Sequence, residues 1–181
     1  MKKYLYFLPS LVALAISSSA FSLTMVQPFP YVSASQTGRF YCKIIPTSNT
    51  PDFWHKAQAS VYALTVSGKE KLLWSVNCPY SRRIFLSYNG EILAVVATQY
   101  YNNGPDKDLL IAFYRKGRLV KQYTIQQLIR YPALLRASRF QNNYVKEIHG
   151  FMIWTNRFIL VTGDGTRYTF DTSTGRILSK K

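Results

Sequence analysis

The sequence predicts an all-β domain of antiparallel hairpin repeats, with one short helix near residues 125–131. Three observations predict it. Turn dipeptides separate short apolar runs, most clearly Asn89-Gly90 and Asp164-Gly165, and Asn-Gly or Asp-Gly between such runs is the strongest local hairpin signal. One stretch, residues 81–131, carries four strand-like runs in succession and then a capped helix. Finally, a strand–glycine–strand plan recurs around Gly68, Gly117 and Gly175, which lie 49 and 58 residues apart.

The elements follow in chain order. Residues 1–22 have the parts of a secretory signal: Lys2 and Lys3, an apolar run over residues 5–16, and small-residue cleavage sites at Ser18-Ser19-Ala20 and Ala20-Phe21-Ser22. That run is shorter than the roughly 20 residues that span a bilayer. Export to the periplasm or the extracellular space is therefore expected, with an uncleaved N-terminal anchor as the alternative. Residues 23–36, containing Pro28 and Pro30, read as an extended lead-in, and residues 37–181 as a single β domain of three hairpin repeats. Residues 37–45 form the first strand, with Phe40, Cys42 and Ile44 on one face and Arg39, Tyr41 and Lys43 on the other. Residues 59–66 and 71–76 form the next hairpin around Ser67-Gly68.

In the central stretch, residues 83–88 and 91–98 flank Asn89-Gly90, where a type I′ turn with positive φ at both central residues is expected. Glu91-Ile-Leu-Ala-Val-Val-Ala97 is almost continuously apolar, so both faces of that strand should be covered. A polar loop over residues 100–108 leads to an apolar strand at 109–114. Lys116-Gly117 then turns the chain into residues 118–123, a mixed strand suited to a sheet edge. Thr124 with Gln127 makes a capping box, Ile125, Leu128 and Ile129 share a helix face, and Pro132 ends the helix. Residues 132–144 are basic and partly helical in pattern. Four short strands follow, at 150–154, 158–162, 166–170 and 176–178.

Three units align: Val61-Tyr-Ala-Leu…Gly68…Leu72-Leu-Trp74, Ile111-Ala-Phe-Tyr…Gly117…Leu119-Val…Tyr123, and Tyr168-Thr-Phe-Asp…Gly175…Ile177-Leu178. Their spacing is that of propeller blades. The hairpins resemble the outer strands of quinoprotein-type and WD40-like β-propeller repeats, notably Tyr168-Thr-Phe-Asp171…Thr174-Gly175-Arg-Ile-Leu178. The order of elements, with Ser-Tyr-Asn-Gly and Phe-Tyr-Arg-Lys-Gly-Arg-Leu-Val, is similar to that of small uncharacterised secreted bacterial β-repeat proteins. What the resemblance implies is a partial β-propeller, since three units fall short of the four to eight blades of a closed ring; a β-sandwich is the other arrangement open. Self-association could bury the open sheet edges. The cofactor-docking residues of quinoprotein enzymes have no counterpart here, so no cofactor is expected.

Little in the sequence points to catalysis. His55 and His149 have no partner at metal-ligand spacing, and no GxSxG nucleophile motif is present. His149 with Glu147, or with Asp164 or Asp171 brought near by the fold, could act as acid and base in a small envelope hydrolase; the plainer reading is a surface histidine. Asn102, Asn103, Asp106 and Asp108 put oxygens in one loop but lack the alternating order of a calcium loop, so no metal is expected. Gly163-Asp-Gly165 is followed by a strand rather than the helix a phosphate loop needs. Cys42 and Cys78, in an exported chain, are expected to form a disulfide; two buried free thiols are the alternative.

Charge is the compositional outlier, at +15 overall. Residues 109–146 lack Asp and Glu until Glu147, while Arg115, Lys116, Arg118, Lys121, Arg130, Arg136, Arg139 and Lys146 fall within them. Such a segment draws polyanions. The expected function is a non-enzymatic binding or scaffold domain whose basic face holds an anionic envelope polymer, a lipid head group or an acidic protein. Interleaved aromatics also suit single-stranded nucleic acid, but export argues against that partner.

Overall fold

The computed structural model describes residues 28–47, 56–97, 107–135 and 143–181. Its strands are β1 (Tyr31–Ala34), β2 (Phe40–Pro46), β3 (Lys56–Leu64), β4 (Glu70–Pro79), β5 (Arg83–Leu86), β6 (Ile92–Val96), β7 (Leu109–Arg115), β8 (Arg118–Thr124), β9 (Val145–Phe151), β10 (Arg157–Thr162), β11 (Arg167–Asp171) and β12 (Arg176–Lys180). They form three separate four-stranded antiparallel sheets, each a meander in sequence order. Besides strands, the described residues hold one short helix, α1 (Ile125–Leu128), and a 3-10 turn at Pro132–Leu135. The all-β reading holds, and its three glycine-marked units are the outer hairpin of each sheet: β3–β4, β7–β8 and β11–β12.

The sheets stack face to face like blades, and the middle one supplies both interfaces. Leu93 and Val95 of β6 join Cys42, Ile44, Ala59 and Val61 of the first sheet in one core cluster. Ile92, Ala94 and Val96, alternating with them, join Phe158, Leu160, Tyr168 and Phe170 of the third sheet in another. All five β6 residues are buried, as the unbroken apolar run required. Outer strand β8 is mostly exposed, matching its mixed sequence. Ile125 and Leu128 of α1 and Ile129, which caps it, belong to the second cluster, and Gln127 accepts the Thr124 backbone N–H at 2.9 Å, the return half of the capping box.

Three readings change. Residues 31–34 are not merely lead-in: they are β1, paired with β2 from Tyr31↔Ile44 to Ala34↔Tyr41. The strand expected at 150–154 starts earlier, as β9, and residues 152–155 form its turn, closed by Met152 N–H to Arg157 O at 2.9 Å. The paired positive φ of a type I′ turn occurs at Lys116 (φ 47°) and Gly117 (φ 82°), not at Asn89-Gly90, where only Gly90 is positive at 71°. Asn89 works through its side chain, whose Oδ1 accepts from the Ser87 hydroxyl at 2.8 Å and the Glu91 N–H at 3.1 Å. A short polar side chain closing its own turn makes a second left-handed residue unnecessary.

The disulfide is also overturned. Cys42 and Cys78 are both free and buried. Cys42 pairs with Val61 and Cys78 with Ala57, so β3 lies between their strands. Two strand spacings are about 9.6 Å, beyond the ~7 Å Cα separation a disulfide can bridge. Burial pushes both thiols up to about 12.

Candidate anion-binding surface

The turns after β1, β5 and β9 meet at one end of the molecule. Thr37 donates to Tyr88 O at 3.0 Å, Gln36 to Phe151 O at 3.0 Å, and the Tyr88 ring meets Trp154 edge-on at 5.2 Å. The β7–β8 turn belongs to the same end, because Lys116 N–H donates to Glu91 O at 2.9 Å, just beyond the β5–β6 turn. That turn carries Arg115, Lys116 and Arg118, the one group of predicted basic residues that lie together among the described residues; Arg115 and Arg118 are directly paired across the strands. Glu91 faces them. Its carboxylate lies 2.7 Å from Lys116 and 3.4 Å from Arg115, and the Lys116 ammonium, despite some burial, holds it below the usual carboxylate range.

The other basic residues are dispersed. Lys121 lies midway along exposed β8, its ammonium 5.7 Å from the Tyr123 ring centre. Arg130 follows α1, beyond the opposite end of β8, and stacks over Tyr131 at 5.1 Å. The seven residues of β8 alone span roughly 23 Å, so Arg118 and Arg130 are not one site. Lys146 is exposed on β9. Arg136 and Arg139 lie outside the described residues, as do His55, Asn102, Asn103, Asp106 and the N-terminal signal.

The carboxylates explain why this charge stays uncompensated. Asp164 closes the β10–β11 turn by accepting from the Thr162 hydroxyl at 2.6 Å and the Thr166 N–H at 3.2 Å. Burial alone would raise its pKa, but these bonds bring it below its ordinary value. Asp171 likewise accepts from Ser173 Oγ at 2.6 Å and Ser173 N–H at 2.8 Å, and the hydroxyl holds it low. Asp108 is buried. Glu70 pairs with Lys43 at 3.1 Å. Among the described residues, the side chains of Arg118, Lys121, Arg130 and Lys146 form no ion pair with a carboxylate.

Glu147 and His149 share a strand, with His149 Nε2 3.4 Å from Glu147 Oε2 and both side chains exposed. Asp171 is spent in its own turn, and Asp164 in its own turn and on the Arg130 backbone N–H. The described residues contain no group of three or more His, Cys, Asp or Glu able to hold a metal. No described helix is long and apolar enough to cross a membrane.

No protein-family model matches the chain, and no curated protein matches it. Solved structures do. A complex of KlAtg21 with the coiled coil of AgAtg16 superposes with a TM-score of 0.46 at 9% identity, over 87% of this chain and 39% of the other. The Pseudomonas aeruginosa periplasmic gluconolactonase PpgL superposes with a TM-score of 0.40 at 14% identity, over 84% of this chain and 38% of the other. This chain thus spans about two fifths of the length of each of these two structures.

Proposed function

We propose that the chain is an exported, non-enzymatic binding or scaffold domain that holds an anionic envelope component or an acidic protein through its exposed basic side chains. The observation that carries this reading is where the acids go: turns, burial and local pairing consume the described carboxylates, while Arg118, Lys121, Arg130 and Lys146 face solvent unpaired. Uncompensated charge of one sign raises both the rate and the strength of association with polyanions at low salt. The signal-like N-terminus and the resemblance to small secreted bacterial β-repeat proteins support export.

The test is binding of inorganic polyphosphate as a function of salt. Neutralising Arg118, Lys121 and Arg130 together should weaken binding at low ionic strength about tenfold or more, whereas Glu91→Gln, which frees Arg115 and Lys116, should tighten it. Binding that ignores both changes would sink the proposal.

A second reading, a small envelope hydrolase using His149 with Glu147, has one observation in its favour, their 3.4 Å separation. It requires that His149→Ala abolish a hydrolytic activity on envelope material that Glu147→Gln also diminishes.

A further inference from the structure

Three consecutive large apolar residues stand exposed in the β9–β10 turn: Met152 at 42%, Ile153 at 53% and Trp154 at 73%. Trp154 also has φ of 62°, a left-handed conformation that suits Gly or Asn and disfavours bulky side chains. A chain that needed only a turn here would gain from a smaller residue. The strain instead holds an indole outward at the tip, its inner edge against Tyr88. The base beneath is rigid, since the Thr37 and Gln36 side chains tie the Tyr88 and Phe151 carbonyls to the first sheet. Trp74, by contrast, is half-buried and donates its indole N–H to Gly90 O at 2.9 Å.

Around this tip cations outnumber carboxylates among the described residues. The β7–β8 turn with Arg115, Lys116 and Arg118 is at the same end, and Arg157, also exposed, follows Trp154 by three residues; against them stand Glu91, paired with Arg115 and Lys116, and Asp171, which lies opposite Arg157 on β11 and is bonded within its own turn. A short apolar and aromatic tip set among cations has the chemistry of a peripheral contact with an anionic bilayer. Tryptophan favours the head-group boundary, isoleucine and methionine the upper acyl region, and arginine and lysine the phosphates. A soluble polyanion would use the cations and leave the tip idle.

We propose that the Met152–Trp154 turn is a membrane-docking tip that seats this end of the molecule on an anionic lipid surface. The inference deepens the anion-binding function above and rests on it. Its test compares the full chain with Trp154→Gly, so that whatever the N-terminal apolar run contributes is common to both. The probes are vesicles of phosphatidylglycerol with phosphatidylcholine, vesicles of phosphatidylcholine alone, and inorganic polyphosphate. The wild-type chain should co-sediment with the anionic vesicles in a salt-sensitive way, and brominated lipid should quench its tryptophan emission. Trp154→Gly should lose that quenching and bind the anionic vesicles about tenfold more weakly. Because glycine accepts the left-handed φ, its melting temperature should be unchanged or higher, which separates a lost contact from a lost fold. Leu134→Ser, which removes an exposed leucine elsewhere, should bind like wild type. Equal vesicle binding by Trp154→Gly, or an equal loss in Leu134→Ser, overturns the tip. Binding of polyphosphate without vesicle binding overturns the tip and leaves the anion-binding function standing, whereas binding of neither overturns both.

Discussion

Gly117 and Gly165 show how the same residue type can be required for different reasons. Both have positive φ, 82° and 84°. A Cβ on Gly165 would meet nothing within 4 Å, while one on Gly117 would lie 2.8 Å from the Ser75 carbonyl oxygen of the first sheet. Gly165→Ala should therefore lose only the left-handed penalty, about 1 kcal/mol, and Gly117→Ala should lose at least twice that, because backbone must move as well. Urea denaturation of the two variants measures the difference, and equal losses would mean that the β7–β8 turn is not seated on β4. The cysteines make a second residue-scale case. Folded protein should resist a thiol reagent such as DTNB at pH 8, then release two equivalents when denatured without reductant, since both thiols are free, buried and held protonated.

Among the elements, β6 and β8 are the extremes of one sheet. β6 reads apolar at every position and is buried on both faces; β8 alternates loosely and is open to solvent. Leu93, fully buried between the first two sheets, and Leu119, 51% exposed, carry the same side chain. Leu93→Ala should destabilise by about 2–5 kcal/mol, because a cavity opens where β6 meets the first sheet. Leu119→Ala should stay within about 0.5 kcal/mol. Chemical denaturation compares them directly, and a small effect at Leu93 would show that the first sheet does not cover the second. The turns between strands share a local chemistry that a scan for Asn-Gly and Asp-Gly catches only in part. Ser35-Gln-Thr-Gly38, Thr65-Val-Ser-Gly68, Ser87-Tyr-Asn-Gly90 and Thr162-Gly-Asp-Gly165 each close with the glycine N–H donating to the carbonyl of the leading Ser or Thr, at 2.9–3.0 Å. The first of these marks the β1–β2 hairpin. Reading the motif as Ser/Thr, any residue, a small polar residue and then Gly would have identified β1 before the structure did.

At the scale of the whole molecule, the two interfaces differ in that only one holds thiols. The cluster between the second and third sheets is rich in phenylalanine, with Tyr144 and Tyr168 buried in it and Tyr123, raised by burial, packed against it; the cluster between the first and second contains Cys42, Cys78 and Tyr114 with Tyr31 packed against it. Burial comes first among the causes that raise all four of these groups. A raised acid pKa contributes stability that is fully present below the unfolded value and lost as pH rises toward the folded one. The unfolded values are 9.0 for the thiols and 10.0 for the phenols, so stability should begin to fall near pH 9 and continue falling through about pH 12. The change should start at this interface. Emission from Trp74, whose indole N–H reaches Gly90 O across it, should shift before the third sheet loses protection from hydrogen exchange. Cys42→Ala with Cys78→Ala should blunt the onset, and an alkaline profile that is flat to pH 12 would contradict the burial.

The sequence by itself determined the local grammar: which runs are strands, where most hairpins turn, that β6 is covered twice, and that the chain carries unusual positive charge. These depend on side-chain alternation, glycine conformation and composition, which act over a few residues. Only the tertiary structure decided that Glu91 meets Arg115 and Lys116, that Cys42 and Cys78 stand two strands apart, and that three turns converge beside an exposed, strained Trp154. Those outcomes depend on strand register and sheet stacking, which join residues far apart in the chain and leave no mark at any single position.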